Sequence, residues 1–272
     1  MTPFARILVP LDRSSFAQRA VPLAAELSRR TGTPLRLFSV ATPGDEDAMG
    51  AHLAEVAAQC GTDIGVESEV VGYGSIAAAI AGAAGPGTLV CMASHGESGA
   101  ARTLLGAVTQ AVLRRATEPV LLVGPRVPPR PAFRPGRIVA CVDGSAFAER
   151  TLAPGASWSA ALGLPLWLAE VAPTADPPDD THGEPPPSDY LEALAPTVGT
   201  HVEGWQVLQG RHPLPALAGL AEDAPVAAFV VATHGRAGWE RVLGGSLAAA
   251  LVHRMAVPVL VVPAGAAPPP TT

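Results

Sequence analysis

The chain is written twice. Ile7-Leu8-Val9-Pro10-Leu11-Asp12-Arg13-Ser14-Ser15-Phe16-Ala17 is answered by Ile138-Val139-Ala140-Cys141-Val142-Asp143-Gly144-Ser145-Ala146-Phe147-Ala148, and Asp12 lies 131 residues before Asp143. The same offset joins Arg19 to Arg150, Gly32 to Gly163, Pro34 to Pro165 and Val40 to Val171. Further on, Ala93-Ser94-His95-Gly96 matches Ala232-Thr233-His234-Gly235, where the offset has grown to 139. A repeat of this length is a whole domain used twice, so whatever fold serves one half must serve the other. The eight extra residues fall within Pro173 to Asp189, a proline-rich acidic stretch expected to be a solvated loop. The expected organisation is a first domain over 1–124, a Pro/Arg-rich linker over 125–136, a second domain over 137–264 and a disordered tail over 265–272.

With 272 residues, 48% of them hydrophobic and 15% charged, each half can bury a core. All 18 basic residues are arginine, because the chain holds no lysine, and it holds no asparagine either. That excludes a lysine-bearing P-loop, Schiff-base chemistry and a Cys-His-Asn protease. The net charge of −6 and the scattered arginines argue against nucleic acid and against an anionic membrane as partners. No apolar run approaches the length of a membrane span, and the opening residues have no apolar stretch followed by an A-x-A cleavage site. Cys60, Cys91 and Cys141 form no C-x-x-C pair and read as reduced thiols, which points to the cytoplasm.

Short apolar runs alternate with helical patterns in both halves, the pattern of βαβ units around a parallel sheet. In the first half, strands are expected near Arg6 to Pro10, Pro34 to Val40, Ile64 to Val71, Thr88 to Ala93 and Pro119 to Val123. Leu104, Val108, Ala111 and Val112 share one helical face, and a shift of 139 lands on Leu243, Leu247, Ala250 and Leu251. That stripe is expected to face the core.

In an open parallel sheet, ligands collect outside the carboxyl ends of the strands where the strand order reverses. Two loops of each half fall there. The loop after strand 1 carries Asp12 or Asp143, an acid that either caps the next helix or faces the crevice. The loop after strand 4 reads, in the second half, Ala232-Thr233-His234-Gly235, nine residues, then Gly245-Ser246 and a helix. Its glycines allow close backbone approach to an anion, and the helix start supplies N–H groups. His95 and His234 recur in register, and the simplest role for each is a ring bonded to the loop backbone. The histidines are dispersed, and no metal site is visible. Gly244-Gly245-Ser246 is a poor nucleophile elbow, because Arg241-Val242-Leu243 is not a strand.

The layout resembles the universal stress protein family, whose nucleotide-binding members carry G-x-x-G, nine residues and G-[ST] after strand 4, with an Asp closing strand 1. Both halves resemble it along nearly their whole length. The resemblance implies an α/β fold of two doubly wound domains, each a five-stranded parallel sheet in the order 3-2-1-4-5 with helices on both faces. It further implies adenine-nucleotide binding in stress adaptation, with ATP, with or without Mg2+, as the ligand. Asp143, Val171, Ala232, His234 and Gly235 would hold it in the second domain, together with Arg236, Gly238, Gly245 and Ser246. The first domain offers the weaker set Asp12, Val40, His95, Gly96 and Gly106, with Ala107 where the hydroxyl belongs and Glu97 where the second half has Arg236. The family's last strand pairs domains edge to edge, which implies that 119–123 and 258–262 meet within one chain, with homodimerisation optional. No residue is a convincing general base, so catalysis beyond slow ATP hydrolysis is not expected. A tandem scaffold without ligand is the alternative reading.

Overall fold

The computed structural model describes residues 4–72, 74–95, 105–129, 133, 135–172, 188–199, 202–233 and 247–265. In the first half, β1 (Arg6–Pro10), α1 (Ala20–Thr31), β2 (Leu35–Val40), α2 (Glu46–Gln59), β3 (Val66–Val71), α3 (Ile76–Ala83), β4 (Thr88–Ala93), α4 (Ala107–Leu113) and β5 (Val120–Val123) follow in turn. The second half runs β6 (Arg137–Val142), α5 (Leu152–Leu162), β7 (Leu166–Ala172), α6 (Asp189–Leu194), β8 (Val202–Gln209), α7 (Pro213–Asp223), β9 (Val226–Thr233), α8 (Leu247–Arg254) and β10 (Val259–Pro263). Short 3-10 turns, Ala17–Arg19 and Ala148–Thr151, lead into α1 and α5. Both glycines of the Gly32/Gly163 pair end these helices in the left-handed conformation, at φ 68 and 61°, which is why the repeat keeps them.

All ten strands form one sheet in the order β3-β2-β1-β4-β5-β10-β9-β6-β7-β8. Each half is therefore 3-2-1-4-5, parallel throughout, and the halves meet where β5 lies antiparallel to β10 with Leu121 opposite Leu260. Strand periodicity divides the core in two. Ile7, Val9, Leu260 and Val262 point to the face covered by α1, α2, α5 and α6, whereas Leu8, Val259 and Val261 point to the face under α3, α4, α7 and α8. β4 is buried at every position, as a central strand covered on both sides must be. Across the junction Arg30 donates to the Leu162 carbonyl at the end of α5, at 2.7 Å, and Trp158 packs against Phe4 and Phe133.

The repeated arginines do one job twice. Arg19 donates to the carbonyls of Pro125 and Val127 at 2.9 and 2.7 Å, and Arg150 to that of Ala264 at 2.6 Å, so each ties the chain leaving its last strand to the start of its first helix. The helical stripe expected from Leu104, Val108, Ala111 and Val112 is off by one position. Val108 is 37% exposed, and the buried residues of α4 are Thr109, Val112 and Leu113, matched in α8 by Ala248, Leu251 and Val252. Thr109 hides the pattern because it is polar yet buried, its hydroxyl donating to the carbonyls of Ala93 and Ser94. Leu104 and Leu243 lie outside the described residues.

Candidate functional site

The loop after β1 is built by side chains capping their own backbone. Asp12 Oδ1 accepts from the Ser14 N–H at 3.1 Å and from the Ser14 hydroxyl at 2.5 Å, and Ser14 Oγ accepts from the Ala17 N–H at 3.0 Å. The second half repeats the device, with Asp143, Ser145 and Ala148 at 3.0, 2.6 and 3.1 Å. The serine thus caps the following turn and the aspartate holds the serine, so the acid supports the cap without being it. The residue after each acid is left-handed: Gly144 at φ 78° and Arg13, a side-chain-bearing residue, at φ 64°.

In the first half this loop borders a cleft of about 430 Å³, well inside the range of small-molecule sites. Pro10, Leu11 and Asp12 enter from the end of β1, Ser39 and Val40 from the end of β2, and Ala93 and His95 from the end of β4. The start of α4, Gly106 to Thr109, forms one wall, and α3 contributes Ile76 and Ile80. The Gly106 N–H donates to the Ser94 carbonyl at 2.8 Å and so fastens the helix start to the strand end. His95 is held by Ser94 Oγ at 3.1 Å from Nδ1 and meets the Phe16 ring edge-on at 5.9 Å. Four of the five first-half residues singled out from sequence, Asp12, Val40, His95 and Gly106, come together here. Gly96 and Glu97 lie outside the described residues. Sequence reasoning missed the apolar lining, Phe38, Ile76, Ile80, Met92 and Val108, because such residues are indistinguishable from core until topology brings their elements together.

In the second half the frame is the same as far as it is described. Asp143 follows β6, Val171 lies in β7 beside Leu208 of β8, and Ala232 lies in β9 beside Val262 of β10. His234, Gly235, Arg236, Gly238, Gly245 and Ser246 lie outside the described residues. Tyr190 of α6 reaches this loop. Its hydroxyl donates to Glu149 Oε1 at 3.1 Å, and burial, reinforced by the Glu149 charge, pushes the phenol up to about 12. Among the described residues no group of three His, Cys, Asp or Glu side chains is placed to hold a metal ion. No described helix is long and apolar enough to cross a membrane.

A doubly wound sheet built twice in one chain, with a cleft at the carboxyl ends of the first and fourth strands of its first copy, defines a class of tandem α/β proteins. The sequence profile of the universal stress protein family matches residues 3–59, 48–124 and 135–263, and the chain belongs to that family as a tandem member. It is similar to the crystal structure of a universal stress protein from Archaeoglobus fulgidus DSM 4304, at 19% identity over 95% of this chain and 98% of that one, with a TM-score of 0.69. A functionally unknown protein from Pseudomonas aeruginosa PAO1 is similar at 18% identity over 96% and 93%, with a TM-score of 0.62. These two likenesses concern the fold. No curated protein matches the chain.

Proposed function

We propose that the chain is an adenine-nucleotide-binding regulatory protein of stress adaptation, organised as two domains over 1–124 and 137–264, that binds ATP mainly in the second. The cleft at the ends of β1, β2 and β4 carries this reading, because it gathers Asp12, Val40, His95 and Gly106 at the switch point of the sheet. The preference for the second domain follows from chemistry written in the sequence. Ser246 supplies a hydroxyl where the first half has Ala107, and Arg236 stands where the first half has Glu97. An arginine attracts a triphosphate and a carboxylate repels it. Mg2+ would come with the triphosphate rather than with a protein cage. The β5–β10 pairing supports an intramolecular pair of domains as the working unit.

Calorimetric titration of the full chain with ATP, ADP and AMP tests the reading. A hydroxyl bond to a charged oxygen contributes about 1.5–3 kcal/mol, so Ser246→Ala is expected to weaken ATP binding about tenfold or more. Glu97→Arg is expected to strengthen the first site. ATP heats untouched by Ser246→Ala would remove the second-domain assignment, and no heat from any of the three nucleotides would leave a tandem scaffold.

A further inference from the structure

Among the described residues β8 ends the sheet on one side and β3 on the other, and the two edges are finished differently. β3 carries Glu67 and Glu69, both bound to Arg36 and with side chains 63 and 41% exposed. Charges on an edge strand deter a further strand. In β8 the register with β7 skips Glu203, which leaves Gly204 to Gln209 as a regular run without a charge or a proline. Trp205 lies in that run and is 40% exposed, one of three exposed large hydrophobic side chains among the described residues.

The Gly210 N–H donates to the Ala172 carbonyl at 3.1 Å, so Gly210 faces β7. The N–H and C=O of one strand residue point to the same side, and those of the next residue to the other. Gln206 and Leu208 therefore bond to β7, while Trp205, Val207 and Gln209 turn their N–H and C=O groups outward. We propose that β8 is a dimerisation edge, which pairs antiparallel with β8 of a second copy of this chain about a twofold axis at Val207. That register places Val207 opposite Val207 and Trp205 opposite Gln209, and it engages all three outward residues in about six backbone hydrogen bonds. The Trp205 ring then lies diagonally across Val207 of the other copy, on the same face of the sheet. Exposed Glu203 of each copy comes beside exposed Arg211 of the other, so the charges at the two ends are complementary.

A second copy is the occupant because the strand is complementary to itself, and two identical antiparallel strands close as a pair. Pairing β8 with β3 of another copy runs head to tail without closing, and it meets the carboxylates of β3. The chain already joins its own halves by such a contact, with Leu260 of β10 opposite Leu121 of β5. The pairing goes beyond the nucleotide reading and depends on neither half's ligand.

Sedimentation velocity and amide hydrogen exchange of the full chain, from about 1 to 200 μM, test the pairing. The mass is expected to rise from one 27.6 kDa chain to two. Exchange at the N–H groups of Trp205, Val207 and Gln209 should slow with it by at least about tenfold, while those of Gln206 and Leu208 stay slow throughout. Gln209→Pro removes an outward N–H without taking one from the β7 ladder, and Trp205→Lys puts an edge-blocking charge at the other end of the run. Both variants are expected to sediment as a single chain at every concentration, with Gln206 and Leu208 still slow as the sign that the strand is in place. Should Gln209→Pro loosen the strand, Trp205→Lys carries the test. The proposal is overturned by a single-chain mass of the wild type throughout, or by an assembly larger than two chains. A dimer whose three outward N–H groups exchange as fast as in the single chain overturns it too, as does one that survives Trp205→Lys.

Discussion

The two halves of the sheet share one strand order and one turn after the first strand, and differ in how that turn is held. After β1 and after β6 an Asp–Ser pair makes the same turn, yet the left-handed position between them is Arg13 in one half and Gly144 in the other. Glycine takes that conformation without steric cost, whereas arginine is held there while its guanidinium engages Asp45, with the Nη2 to Oδ2 contact at 2.5 Å. The second half has no such ion pair at this place among the described residues. It fastens the loop region instead through Tyr190 and Glu149. At the junction, Gly124 follows β5, whereas the position 139 residues later is Pro263, inside β10. The fold thus fixes the geometry of a turn, and each copy is free to stabilise it with different chemistry.

The junction is where this equivalence breaks most severely. A Cβ placed on Gly124 would overlap the carbonyl oxygen of Val252 in α8, a backbone atom that cannot swing aside. Gly124→Ala is expected to cost about 3 kcal/mol, read as a lowered urea midpoint of the full chain. An unchanged midpoint would show that β5 and α8 are not in contact in solution. The exchange at the turn is smaller and unequal. Around Gly144 there is open space, so Gly144→Ala meets only the left-handed penalty, about 1–2 kcal/mol. Arg13→Gly relieves a similar strain but loosens the unfolded chain and deletes a partly exposed ion pair, and the three effects are expected to cancel to within about 0.5 kcal/mol. Equal and opposite shifts from the two substitutions would mean that the Arg13–Asp45 pair contributes nothing.

Much of this was legible before any coordinates, for reasons that can be named. Gly32 and Gly163 recur because both helices end left-handed, and Arg19 and Arg150 recur because both hold the departing chain. Strand positions followed from apolar runs, and the expected starts at Ile64 and Pro119 lie one or two residues before the ladders begin at Val66 and Val120. A proline has no N–H to join a ladder, so Pro119 could not open one as a donor. Thr109 defeated the helical pattern, since a hydroxyl satisfied by two carbonyls is buried without being apolar. Of the first site, the polar members Asp12 and His95 were readable from loop chemistry, while Phe38 and Met92 were not. Those two sit in strands that any core reading would claim, and only the crossing order of β2, β1 and β4 turns them toward a common space.

A last effect distinguishes the two fastenings by pH. Tyr190 is held protonated by burial and by Glu149, up to about 12, against about 10 in an unfolded chain. Below about pH 10 both states carry the proton and its contribution is complete. Between about 10 and 12 the unfolded chain has lost the proton and the native one has not, so stability falls as pH rises across that window. The background is unusually clean because the chain has no lysine to titrate there. Its cysteines do contribute, since burial also raises Cys60, Cys91 and Cys141, but the unfolded thiol ionises near 8.5 and that decline begins earlier. Denaturation midpoints measured from about pH 8 to 11 should therefore show a first decline in both the wild type and Tyr190→Phe, and an additional one above about 10 in the wild type alone. Two parallel profiles would show that the Tyr190–Glu149 contact does not form in solution, and that the second half holds its loop by the Asp143–Ser145 turn alone.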